Sequence, residues 1–127
     1  MPVALVHEQV DSVRNLVSQT LTQEGYRVLE AATLPAAIEM FDCWLADINL
    51  VVSGAQSNVE ANELLSRLRS RLPDVPAILL LRSGHTCESF HDVRTRAVTR
   101  PFDSDDLTSA LHEIERRDCA VPDMICA

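Results

Sequence analysis

The sequence predicts an α/β domain in which a parallel sheet is covered by helices on both faces. Three observations carry that expectation. Short apolar runs such as Val3-Ala4-Leu5-Val6 and the "PAILLL" of residues 76–81 read as buried strands. Between such runs, apolar residues recur at helical spacing, as in Val10, Val13, Leu16, Val17 and Leu21. The two kinds of segment alternate, strand then helix, along a chain of 127 residues, and that alternation is the mark of βαβ units.

The elements follow in order. Val3 to Val6 is the first strand. The first helix is expected to start at Asp11 or Ser12, either of which can act as N-cap, and to stop at Gly25. Tyr26-Arg27-Val28-Leu29 is the second strand. Thr33 is the expected cap of a second helix with Pro35 in its first turn and Ala37, Ile38 and Phe41 facing inward. Ile48 to Ser53 is the third strand. Leu64, Leu65, Leu68 and Leu72 make a third helical stripe, closed by Pro73. The fourth strand is the apolar run of residues 76–81. A short, polar helix is expected from Thr86 to Val93, and Ala97-Val98-Thr99 is a brief fifth strand. The last helix opens at "DSDDL", with Asp103 or Ser104 as cap and Asp105 and Asp106 in the first turn. Its apolar face is Leu107, Leu111 and Ile114, and Arg116 and Arg117 complement its negative end. Residues 1–117 form one expected domain, and residues 118–127 a tail.

Composition narrows the function. A chain of this length buries about two-thirds of its unfolded surface, enough for a core without disulfide or metal staples. The net charge of −8 repels phosphate backbones, so direct nucleic-acid binding is not expected. No apolar run approaches the roughly 18 residues of a membrane helix, and "MPVALVHEQ" lacks the basic start of a signal peptide. A cytoplasmic protein with no membrane contact is the expectation. The cysteines, Cys43, Cys87, Cys119 and Cys126, form no C-x-x-C and no zinc spacing, which suits reduced thiols. Gly25, Gly54 and Gly84 do not cluster into a phosphate-binding loop.

In open parallel sheets the working site lies at the carboxyl ends of the strands. Those ends are His7-Glu8-Gln9, Ser53-Gly54-Ala55, Leu81-Arg82-Ser83 and Arg100-Pro101. A phosphoryl-accepting site here needs an aspartate nucleophile, two more carboxylates for a hard divalent cation, a hydroxyl and a lysine. The chain instead offers Glu8 beside the neutral Gln9, then Ser53 and Gly54, then Leu81, then Arg100. Glu8 and Arg100 cancel in charge, so no magnesium site is expected. They either pair directly, in place of the cation, or both face solvent.

Other constellations are weaker. His7 and His85 could approach across the top of the sheet, but a metal needs a third ligand and Ser53 is a poor one. His91 and His112 read as ordinary polar residues. Ser53 with His7 as its base is an imaginable nucleophile, without a group to orient the base or an oxyanion site. Trp44 reads as a packing residue rather than a binding platform.

From Val3 to about Arg117 the chain resembles the receiver domain of bacterial two-component response regulators. "ALVHEQVDSVR" stands where that family has a strand followed by an acidic pair. "EGYRVLEAAT" resembles its second strand, "NLVVSG" the strand that ends in the phosphoacceptor aspartate, and "RPF" the lysine-proline-phenylalanine of the fifth strand. The resemblance implies a flavodoxin-like (βα)5 fold, a doubly wound five-stranded parallel sheet in the order 2-1-3-4-5. It also implies a cis bond before Pro101. The departures fall on every working position. The acidic pair is Glu8 and Gln9. The acceptor falls on Gly54 if the strand is aligned, or on Ser53 if the following helix is aligned without a gap. The switch hydroxyl becomes Leu81, the switch aromatic becomes Ala97, and the lysine becomes Arg100. Leu81 opposite Ala97 would conserve core volume and fix one arrangement. "AQSNVEAN", lacking the usual proline and glycines, would form a reshaped loop.

The reading is a degenerate, or pseudo-, receiver: no catalysis and no cofactor, with signalling by contact independent of phosphorylation. The expected partner is a signalling protein, either a sensor kinase or an output protein, or a second copy of the chain. Phe90, Ala97 and Val98 form the candidate interaction face. Two alternatives stand beside it. One is a receiver that still accepts a phosphoryl group or ligand at Ser53. The other is a redox- or metal-responsive sensor using Cys119, Cys126 or the histidines.

Overall fold

The computed structural model describes residues 2–54, 58–72, 75–81, 95–99 and 103–114. In order these form β1 (Val3–Glu8), α1 (Asp11–Gln23), β2 (Arg27–Ala31), α2 (Leu34–Cys43), β3 (Ile48–Gly54), α3 (Asn58–Arg71), β4 (Ala77–Leu81) and β5 (Thr95–Thr99). A C-terminal helix covers residues 104–114. The strands form one sheet in the order β2-β1-β3-β4-β5, and every neighbouring pair is parallel. The expected helix over 86–93 and the tail 118–127 lie outside the described residues, as does the bond before Pro101.

Period-two alternation splits the core into two. Ala4 and Val6 of β1, Leu50 and Val52 of β3, and Ile78 and Leu80 of β4 pack under Val17 and Leu21 of α1 and Leu107, Leu111 and Ile114 of the C-terminal helix. The intervening residues, Leu5, Val51 and Ala77, meet Phe41 of α2 and Leu64 and Leu68 of α3 on the other face. Helices thus cover both sides of the sheet, and the strand order reverses between β1 and β3.

Element ends refine the sequence expectation. The first strand runs two residues beyond Val6, because His7 and Glu8 are buried within it. The N-cap of α1 is Val10, not Asp11 or Ser12, and it has no side-chain cap. Asp11 is instead engaged by Arg14, at 2.5 Å. Gly25 takes φ 95°, the left-handed conformation that ends α1 without a Cβ penalty. Thr33 caps α2 as expected, with Oγ1 accepting from the Ala36 N–H at 3.3 Å. Thr33→Ala should cost about 1 kcal/mol and Thr33→Ser little, as measured by urea denaturation. At the C-terminal helix Asp103 is the cap: its Oδ1 accepts from the Asp106 N–H at 2.9 Å, and Asp106 Oδ2 accepts from the Asp103 N–H at 3.1 Å. This is the reciprocal capping arrangement with aspartate in the returning position. The stretch expected to be a reshaped loop is shorter than thought, because α3 already begins at Asn58.

One irregularity matters for the site. Val3 pairs with Ile48 but Ala4 pairs with Leu50, so Asn49 is an extra residue in β3. Its side chain is used, because Oδ1 accepts the Val3 N–H at 2.9 Å.

Candidate functional site at the ends of β1 and β3

Beyond the Asn49 bulge, β1 and β3 run in step to their carboxyl ends. His7 pairs with Ser53, and Glu8 pairs with Gly54. Side chains alternate across a strand, so the two pairs serve opposite faces. His7 and Ser53 follow Leu5 and Val51 onto the α2–α3 side. Glu8 and Gly54 follow Val6 and Val52 onto the α1 side.

His7 and Ser53 are 3% and 2% exposed. His7 Nδ1 lies 2.9 Å from Ser53 Oγ, a hydrogen bond that compensates burial of both polar groups. The two residues weighed as nucleophile and base are therefore in contact, but the hydroxyl is enclosed, which denies a substrate access. A cleft of about 330 Å³ lies between His7, Gln9 and Gly54 on one side and Ala32 to Pro35 on the other.

Glu8 is fully buried. Its Oε1 accepts the Val10 N–H at 3.1 Å, and its backbone carbonyl accepts from Arg14 Nη1 at 2.9 Å. Arg14 also reaches Glu30 Oε2 at 3.6 Å, so α1, β1 and β2 meet at one guanidinium. Sequence reading missed Arg14. Its only signal is the spacing of three from Asp11. Gln9 is exposed and Gly54 is buried. Among the described residues no group of three His, Cys, Asp or Glu could hold a metal ion.

Other expectations meet the fold unevenly. Val98 is 8% exposed and belongs to the core under the C-terminal helix. It is not part of an open interaction face, because its strand is covered on that side. Ala97 pairs with Leu79, and Leu81 pairs with Thr99, so Leu81 and Ala97 are diagonal neighbours rather than directly opposed. Arg100, Phe90, His85, His91, Cys87, Cys119 and Cys126 lie outside the described residues, and the Glu8–Arg100 pair lies there with Arg100. His112 pairs through Nε2 with Glu24, the residue after α1. Trp44 is half-buried against the second core cluster, with the Arg27 guanidinium 5.3 Å from its ring centre, which agrees with a packing role.

No protein-family model and no curated protein matches the sequence. Solved structures do. A response regulator receiver domain protein from Clostridium thermocellum superposes with a TM-score of 0.77 at 17% identity, covering 94% of this chain and 98% of that one. The Vibrio cholerae chemotaxis protein CheY4 gives 0.73 at 22% identity, covering 90% and 98%. A response regulator receiver modulated diguanylate cyclase from Pelobacter carbinolicus gives 0.71 at 27% identity, covering 97% and 99%. The chain has the fold of response-regulator receiver domains. No helix among the described residues is long and apolar enough to cross a membrane.

Proposed function

We propose that this domain is a pseudo-receiver: a signalling module of receiver fold that works by protein contact and takes no phosphoryl group. The observation that carries the reading is the pairing of buried Glu8 with Gly54 at the ends of β1 and β3. With the acceptor position at Gly54, as the strand alignment has it, the site has no nucleophile. Glu8 is closed to solvent, and its neighbour Gln9 is neutral, so the carboxylates that a magnesium ion requires are not offered. The family's lysine is replaced by Arg100, and no lysine stands elsewhere, because all 11 basic residues are arginine. Ser53 lies on the opposite face and is bonded to His7, which weighs against it as a substitute acceptor.

On this reading the protein is not an enzyme and acts in the cytoplasm. Its partner is a sensor kinase, an output protein or a second copy of the chain. The test is an amide NMR titration with magnesium, then with magnesium and beryllofluoride. The expected result is no shift at Glu8, Ser53 or Gly54 at millimolar ligand. Saturable shifts there, spreading into β5, would mean that the pocket still switches and that this reading is wrong.

A further inference from the structure

We propose that Glu8 is a built-in plug. Its carboxyl group fills the space beside Gly54 and fastens the end of β1 to the start of α1, so that the domain is held in one arrangement. The inference rests on the pseudo-receiver reading and supplies its physical cause.

Size and register come first. Glu8 and Gly54 are partners in neighbouring parallel strands, about 4.8 Å apart, with side-chain positions on the same face. Gly54 contributes nothing to that space. Glu8 carries one methylene more than the aspartate that the resembled family has here, and its side chain is among the largest that are fully buried. A buried carboxyl group is tolerated only where hydrogen bonds replace water, and this one accepts the Val10 N–H at 3.1 Å.

The bond to Val10 has a second role. Val10 is the N-cap of α1 and has no side-chain cap of its own. In a capping box an acid three residues into the helix reaches back to the N-cap N–H. Glu8 reaches the same N–H from two residues upstream. Arg14, from within α1, grips the carbonyl of the same residue at 2.9 Å. Glu8 is thus held by its side chain at Val10 and by its main chain at Arg14. A partner of the domain would then meet a constant surface, and control would come from the amount of protein or from the partner.

Excising the carboxyl group tests this, because a free carboxylate can then replace it. Glu8→Ala should lower Tm by roughly 10 °C. Acetate should restore several degrees in a saturable way, whereas chloride at equal ionic strength should not and wild type should be unmoved by either. Glu8→Gln keeps an acceptor oxygen at the same reach and should stay within about 3 °C of wild type. If Glu8→Ala does not fold, amide exchange in wild type decides: the Val10 N–H should be the most protected at the start of α1, and fast exchange there overturns the plug. So does a Glu8→Ala protein with unchanged Tm, or one that acetate does not rescue. Failure of the plug is distinguishable from failure of the functional reading. Magnesium uptake by wild type sinks the latter, whereas missing acetate rescue with no magnesium uptake sinks the plug alone.

Discussion

Replacing His7 by alanine should destabilise the domain by about 3–4 kcal/mol, a large share of the roughly 5–15 kcal/mol that holds a domain together. Two losses add. The ring leaves a cavity in a site that is 3% exposed, and the Ser53 hydroxyl loses its 2.9 Å partner while remaining buried. Ser53→Ala should cost less, about 1–3 kcal/mol, because it removes one buried hydrogen bond and only a small volume. Combining His7→Leu with Ser53→Ala removes both ends of this hydrogen bond and should cost less than the sum of the two single changes. Urea titrations of the single and double variants measure the coupling. The pair also separates functional readings. If Ser53 only supports the fold, a Ser53→Ala protein compared below its Tm keeps its partner binding. A folded Ser53→Ala protein that no longer signals would favour Ser53 as an acceptor.

Arg69→Met should cost about 2–4 kcal/mol, and the cost should be concentrated at the β5 edge. From the last turn of α3 the guanidinium donates to the Val75 carbonyl at 2.5 Å and to Thr95 Oγ1 at 2.9 Å. It joins the α3–β4 connection to the first residue of an edge strand. Thr95 is 7% exposed, so its hydroxyl gains no water when the arginine is removed. Methionine keeps much of the stem packing and removes the bonds, which isolates the polar contribution. Amide exchange should accelerate in β5 more than in β1 or β3, the pattern of a local opening rather than global unfolding. Uniform acceleration across the sheet would contradict this role for Arg69.

Strand and helix identities were legible because hydrophobic period is a local property. The apolar run of β4 and the α1 stripe could be read without knowing their neighbours. The limits of the reading have equally physical causes. His7 and Glu8 look like the end of a strand because they are polar, yet each is buried by a partner invisible in sequence, Ser53 for one and the Val10 N–H for the other. The cap of α1 was misplaced because the apolar Val10 holds that position without a side-chain cap, its own N–H bound by Glu8. Val98 was assigned to an interaction face by the resemblance, but the C-terminal helix covers it. The choice between Ser53 and Gly54 stayed open because aligning the strand and aligning the following helix give different residues.

The alternation of His7–Ser53 and Glu8–Gly54 also bears on how the sheet assembles. The Asn49 bulge already shifts β3 by one residue against the start of β1. A slip of that size would carry Ser53 to the other face of the sheet and turn every neighbouring side chain with it. His7 would then lie beside a residue with no hydroxyl, and Glu8 beside Ser53 instead of glycine. The hydrogen bond of one polar pair and the side-chain room of the other are both available in a single alignment. Side by side, they make a slipped sheet costly at its centre.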